Sequence, residues 1–175
     1  MLQNFKDVLK FVKNQPEIRG IGVMARSNAA SLAILHGPDQ AIKAYTLLAP
    51  PVYYSMDMAK FIHEAKIKGG FFYHKSFKRR HTKGEGRLPL RYIDDLKQYD
   101  AALLRNVRKI KRVIYFQSTK DEAVTIAEGH FDYLKKYLPQ PRKIVLIDGG
   151  NHSYKGHKRF VVTQSLRWFK KFLPL

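Results

Sequence analysis

Three side chains of this 175-residue sequence carry the groups that hydrolytic chemistry needs: Ser27, Asp121 and His152. A serine hydroxyl can attack a carbonyl carbon, a histidine can take up and return its proton, and a carboxylate can hold the histidine in one tautomer. Ser27 lies in Ala25-Arg26-Ser27-Asn28-Ala29, where an apolar run passes into a helix-compatible stretch and small residues stand at −2 and +2. A serine at such a junction also suits the N-cap of the helix. Asp121 follows the apolar run Val113 to Phe116 and a short turn, and it could instead cap a helix starting near Glu122. His152 comes after Lys143 to Ile147 on the loop Asp148-Gly149-Gly150-Asn151, and its plain alternative is a surface histidine.

Other chemistries lack their residues. With no cysteine, the chain offers no disulfide, thiol nucleophile or Cys-based metal site, which favours a reducing compartment and suggests a cytoplasmic location. His63-Glu64, His74, His81 and His130 lack the paired spacing that brings metal ligands together, so no metal is expected. Lys83-Gly84-Glu85-Gly86-Arg87 has two glycines but no strand before it, so neither a phosphate loop nor a dinucleotide fingerprint is present and no cofactor is implied.

The elements that must position these residues alternate. Leu2, Phe5, Val8, Leu9 and Val12 recur at helical spacing, and Asn14-Gln15-Pro16 ends that helix. Ile18 to Ala25 reads as a strand, Ser27 to Leu35 as a helix, and Ile42 to Leu48 as a second strand. Beyond a less regular stretch containing a helix from Asp94 to about Val107, strands at Val113 to Phe116 and Lys143 to Ile147 alternate with helices at Glu122 to Tyr137 and His157 to Phe172. Strands separated by helices predict an α/β protein with a mostly parallel sheet and helices on both faces. No run approaches the roughly 20 apolar residues that span a bilayer, and no secretory signal is visible.

The charge is unusual, since 33 Lys+Arg against 14 Asp+Glu gives +19. Residues 60–112 hold 16 basic and 5 acidic residues, a surplus of 11 of the 19. Interleaved with aromatics, as in Phe71-Phe72-Tyr73-His74-Lys75-Ser76-Phe77-Lys78-Arg79-Arg80-His81, such a segment could grip a polyanion. The bland alternative is a solvated basic face.

The stretch Ile21-Gly22-Val23-Met24-Ala25-Arg26-Ser27-Asn28-Ala29-Ala30 resembles the nucleophile elbow of the α/β-hydrolases, with alanine at both glycine positions of the G-x-S-x-G pattern. Val113 to Val124 is similar to that family's late strand and acid loop, and Lys143 to Tyr154 to its last strand and histidine loop. Ala44-Tyr45-Thr46-Leu47-Leu48-Ala49-Pro50-Pro51 fits the strand after the elbow helix. The order Ser, Asp, His, with steps of 94 and 31 residues, is the order of this family. The resemblance implies that Ser27 is the nucleophile, His152 the general base, Asp121 its orienting acid, and the Asn28 N–H one oxyanion donor.

The same resemblance implies about four strands before the elbow strand, where this sequence shows one helix. The fold is therefore expected to be an incomplete α/β-hydrolase fold, a single domain over 1–175 with a helical or irregular insertion at 53–111. The loop that supplies a second oxyanion donor has no counterpart, and loss of one donor costs on the order of a hundred- to a thousandfold in turnover. The 18–25 strand becomes an exposed edge on which a second copy or a partner chain could pair. In the insertion, Phe61, Ile62, Phe71, Phe72 and Phe77 are expected to cover the site or a neighbouring surface, with Lys78, Arg79 and Arg80 in solvent. Two functions follow: a serine hydrolase of ester, thioester or amide bonds acting on a small-molecule or acyl substrate, or a weak or inactive relative acting as a basic interaction or nucleic-acid-associated subunit.

Overall fold

A computed structural model describes residues 2–54, 71–73 and 87–173, with side chains described for 3–54 and 94–173. The expectations for Phe61, Ile62, Phe77, Lys78, Arg79 and Arg80, and for the side chains of Phe71 and Phe72, lie outside the described residues, as does most of the 60–112 basic segment. The chain forms two compact units, one made of 1–52 with 102–175 and the other of 53–101.

In the first unit the strands are β1(Ile21–Arg26), β2(Ile42–Leu48), β5(Val113–Ser118) and β6(Arg142–Ile147). They form one sheet in the order β1-β2-β5-β6, and every pairing is parallel. The helices of this unit are α1(Leu2–Lys13), α2(Asn28–His36), α5(His130–Tyr137) and α6(Lys158–Phe172), and α4(Asp100–Val107) leads into it from the second unit. The second unit holds an antiparallel pair, β3(Phe71–Tyr73) with β4(Arg87–Pro89), followed by α3(Leu90–Lys97).

Strand alternation divides the core between the two faces of the sheet. Ala44, Leu48, Ile114, Phe116 and Ile147 pack against Val161 and Trp168 of α6. The Trp168 indole N–H also donates to the Arg112 carbonyl at 2.8 Å, tying α6 to the start of β5. Gly22 lets this helix approach β1: a Cβ there would stand 3.0 Å from the Phe169 ring. Tyr45, Leu47, Val113 and Tyr115 point the other way. On that face Tyr45 donates to the Gly37 carbonyl, and the Tyr115 ring lies 5.9 Å from Phe131 of α5. Asn106 of α4 donates to the Leu35 carbonyl at 2.9 Å, and Tyr133 of α5 to the Leu104 carbonyl at 3.1 Å, so α2, α4 and α5 form one layer. Helices thus cover both faces of a parallel sheet, as the sequence pattern predicts.

Several boundaries differ from that pattern. The first strand runs from Ile21 rather than Ile18, and Ile18 is half-exposed beyond a turn. Among the described residues β1 pairs with β2 alone, so it is an edge of the sheet. In α1 the residues Phe5, Leu9 and Val12 are partly buried, but Val8 is 63% exposed and does not belong to the stripe. The helix expected over Asp94 to Val107 is two helices, α3 and α4, parted at Gln98-Tyr99. The helix expected from Glu122 begins only at His130, after a 3-10 turn at Ile126–Glu128. Local side chains cause that delay. Thr125 and Glu128 form a reciprocal capping box, and Gly129 takes a left-handed φ of 80° that separates the turn from α5. Among the described residues, no helix is long and apolar enough to cross a membrane.

Candidate active site

Parallel strands all end on one side of the sheet, and ligands of open α/β sheets bind beyond those ends. Ser27 follows β1 there, Asp121 follows β5, and His152 follows β6.

Ser27 is held in an unusual backbone conformation, φ 54° and ψ −135°. Its N–H donates to the Leu48 carbonyl at 2.8 Å, fixing the end of β1 to β2. Its carbonyl accepts from the Ala30 N–H at 2.8 Å, which opens α2. Between these two bonds the chain must turn within one residue, and the small side chains of Ala25 and Ala29 stand two residues away on either side. Ser27 does stand at the N-cap position of α2, but its hydroxyl makes no capping bond to the helix. Asn28 is the first residue of α2, at the positive end of that helix.

A non-glycine residue with such dihedrals is strained by about 1–3 kcal/mol. Ser27→Gly should relieve this strain but adds chain entropy to the unfolded state, leaving a net gain of about 1 kcal/mol. The expected rise in unfolding temperature is about 2–4 °C, and Ser27→Ala should show none. Scanning calorimetry of the two variants compares them; equal unfolding temperatures would mean that the turn stores no strain.

Asp121 and His152 are brought together. The carboxylate is buried, and its Oδ1 and Oδ2 lie 2.9 and 3.0 Å from the imidazole Nδ1. Oδ1 also accepts from the N–H groups of Ala123 at 2.9 Å and Val124 at 2.8 Å. The capping alternative is therefore partly realised: the same carboxylate that bonds the histidine ring also caps a turn. Among the described residues, no hydrogen bond joins the Ser27 hydroxyl to His152.

Residues not singled out in the sequence hold this pair in place. Glu122 accepts from the His152 backbone N–H at 3.0 Å. Thr119 Oγ1 donates to Asp148 at 3.1 Å and accepts from the Gly149 N–H at 2.8 Å, while the Lys120 N–H donates to the Gly150 carbonyl at 3.0 Å. Gly150 allows this contact of loops, because a Cβ there would lie 2.8 Å from Ser118 Oγ. Tyr154 is buried just beyond the histidine and donates to the Phe116 carbonyl at 3.0 Å. Burial and the nearby Asp121 carboxylate push the Tyr154 hydroxyl well above the ordinary tyrosine range, so it stays a donor. The one sequence signal for these residues was Glu122 following Asp121 directly.

No protein-family model matches the chain, and no curated protein matches it. Solved structures do resemble it. The esterase domain of a Rhodothermus marinus protein superposes with a TM-score of 0.67 at 12% identity, over 99% of this chain and 70% of that one. Est1E from Butyrivibrio proteoclasticus gives 0.68 at 21% identity, over 97% and 68%. A monoacylglycerol lipase from Paleococcus ferrophilus gives 0.68 at 10% identity, over 97% and 74%. At such identities the likeness is one of architecture, and together with the parallel sheet and its strand-end loops it shows that this chain has the α/β-hydrolase fold.

Proposed function

We propose that the protein is a serine hydrolase of esters, with thioesters and amides as chemically related substrates. Ser27 Oγ would attack the carbonyl carbon while His152 takes its proton, and the oxyanion would lie against the Asn28 N–H at the start of α2. Collapse of that intermediate expels the alcohol, which receives the proton from His152 and leaves an acyl group on Ser27. Water, deprotonated by the same imidazole, then releases the acid. Asp121 stabilises the imidazolium in both halves.

The observation that carries this reading is the buried Asp121 carboxylate on His152 Nδ1, which directs Nε2 to be the working nitrogen. A strand-end histidine with that partner is equipped to act as a base. The esterase and lipase neighbours support the same class of bond.

A fluorophosphonate probe tests it. Wild-type protein is expected to become labelled on Ser27, and Ser27→Ala should take up none. The missing hydrogen bond between Ser27 and His152 and the charge of +19 favour a second reading, a silent fold relative that binds polyanions. Absence of labelling in correctly folded protein would select that one.

A further inference from the structure

A cleft of about 280 Å³ opens near the proposed site, and its described lining residues all belong to the sheet-bearing unit. Met24, Leu48, Val161 and Val162 form its apolar walls, and Arg26 and Lys158 stand on it as cations. Arg26 precedes Ser27 in the chain, and another lining residue, Ser153, follows His152. The cleft is therefore lined by the chain neighbours of both proposed reacting residues. Neither cation enters an ion pair among the described residues, and both are exposed. Among the described residues, no acidic side chain lines the cleft.

A neutral acyl chain would use the apolar walls and leave both charges idle. A ligand with a short aliphatic stretch ending in a carboxylate uses everything the cleft offers, and arginine presents a fork that fits a carboxylate. The volume sits near the lower end of the range for small-molecule sites, so the aliphatic part must be short. We infer that this cleft is an anion-accepting subsite and that the preferred substrates are half-esters of short dicarboxylic acids, with the free carboxylate on Arg26 and Lys158. The inference rests on the serine hydrolase reading for its chemistry, but the subsite can be tested without it.

The experiment compares 4-nitrophenyl hemisuccinate with 4-nitrophenyl butyrate, which have similar length and differ in the terminal charge. Exposed ion pairs are weak, so two of them are expected to favour the hemisuccinate by about three- to tenfold in kcat/KM at low salt, and less as salt rises. Lys158→Glu should bring the ratio to one or below. Because the whole chain is cationic, Lys111→Glu serves as the control: it makes the same change in net charge just before β5, at the opposite end of the strands from the cleft. Equal or better use of butyrate by the wild type would overturn the inference, as would an equal loss of preference in both variants. If neither ester is hydrolysed, the hydrolase reading has failed, and calorimetric titration with monomethyl succinate decides the subsite alone. Binding that Lys158→Glu abolishes and Lys111→Glu keeps would support it; no binding to wild-type protein would overturn it.

Discussion

Replacing Asp121 by asparagine is expected to cut turnover of an ester substrate by about 10⁴-fold while the protein remains folded. Oδ1 already accepts from the Ala123 and Val124 N–H groups, so the amide oxygen of Asn would remain there and the turn would survive. The amide NH₂ would then occupy the position of Oδ2, 3.0 Å from His152 Nδ1, and would donate where the carboxylate accepted. His152 Nδ1 must become the acceptor, its proton moves to Nε2, and the ring can no longer take a proton from Ser27. Loss of the charge also removes the stabilisation of the imidazolium. Stopped-flow or steady-state hydrolysis measures the first effect, and thermal unfolding shows that the fold is intact. Turnover within tenfold of wild type would refute the role of Asp121.

The largest effect on stability is expected at Phe116. This side chain is fully buried in the cluster formed with Leu48, Ile114, Ile147, Tyr154 and Trp168, at the centre of the α6 face. Phe116→Ala removes most of its contacts and leaves a cavity that helix and sheet cannot close, a loss of about 3–5 kcal/mol. Domain stability is only about 5–15 kcal/mol, so this single change removes a large share. The unfolding temperature should fall by roughly 6–20 °C. Chemical denaturation should show a lower midpoint with an unchanged slope. A loss below about 1 kcal/mol would mean that the α6 layer is loosely packed. The site should suffer as well, because the Phe116 carbonyl receives the Tyr154 hydroxyl that anchors the histidine loop.

What the sequence made legible was whatever depends on periodicity. Ile42 to Leu48 is bounded by a turn on one side and prolines on the other, and its limits agree with β2. Ile18, by contrast, is apolar but separated from β1 by Arg19-Gly20, and apolarity alone could not show that the turn ends after it. The stretch after Asp121 was misread because its helical pattern is interrupted by side chains acting on the backbone: the Asp121 cap, the Thr125–Glu128 box and the left-handed Gly129. The positions of Asp121 and His152 after strands were legible in the sequence. The contacts that Glu122, Thr119 and Tyr154 make were not, because each reaches a residue about 30 to 40 positions away, a proximity that only the folded sheet creates.

The central pair of strands also bears on how such a chain can change over generations. β2 and β5 are hydrogen-bonded neighbours, in register from Tyr45 with Val113 to Leu48 with Phe116, although residues 49–112 intervene. Most of that interval, 53–101, is a compact unit of its own. Closing a connection costs entropy that grows only with the logarithm of its length, about 0.6 kcal/mol for each doubling. Changes of length within that unit therefore cost the sheet little closure entropy, provided that α4, whose Leu103 and Val107 are buried beside the sheet, keeps its place; the strand ends that carry Ser27, Asp121 and His152 stay as they are.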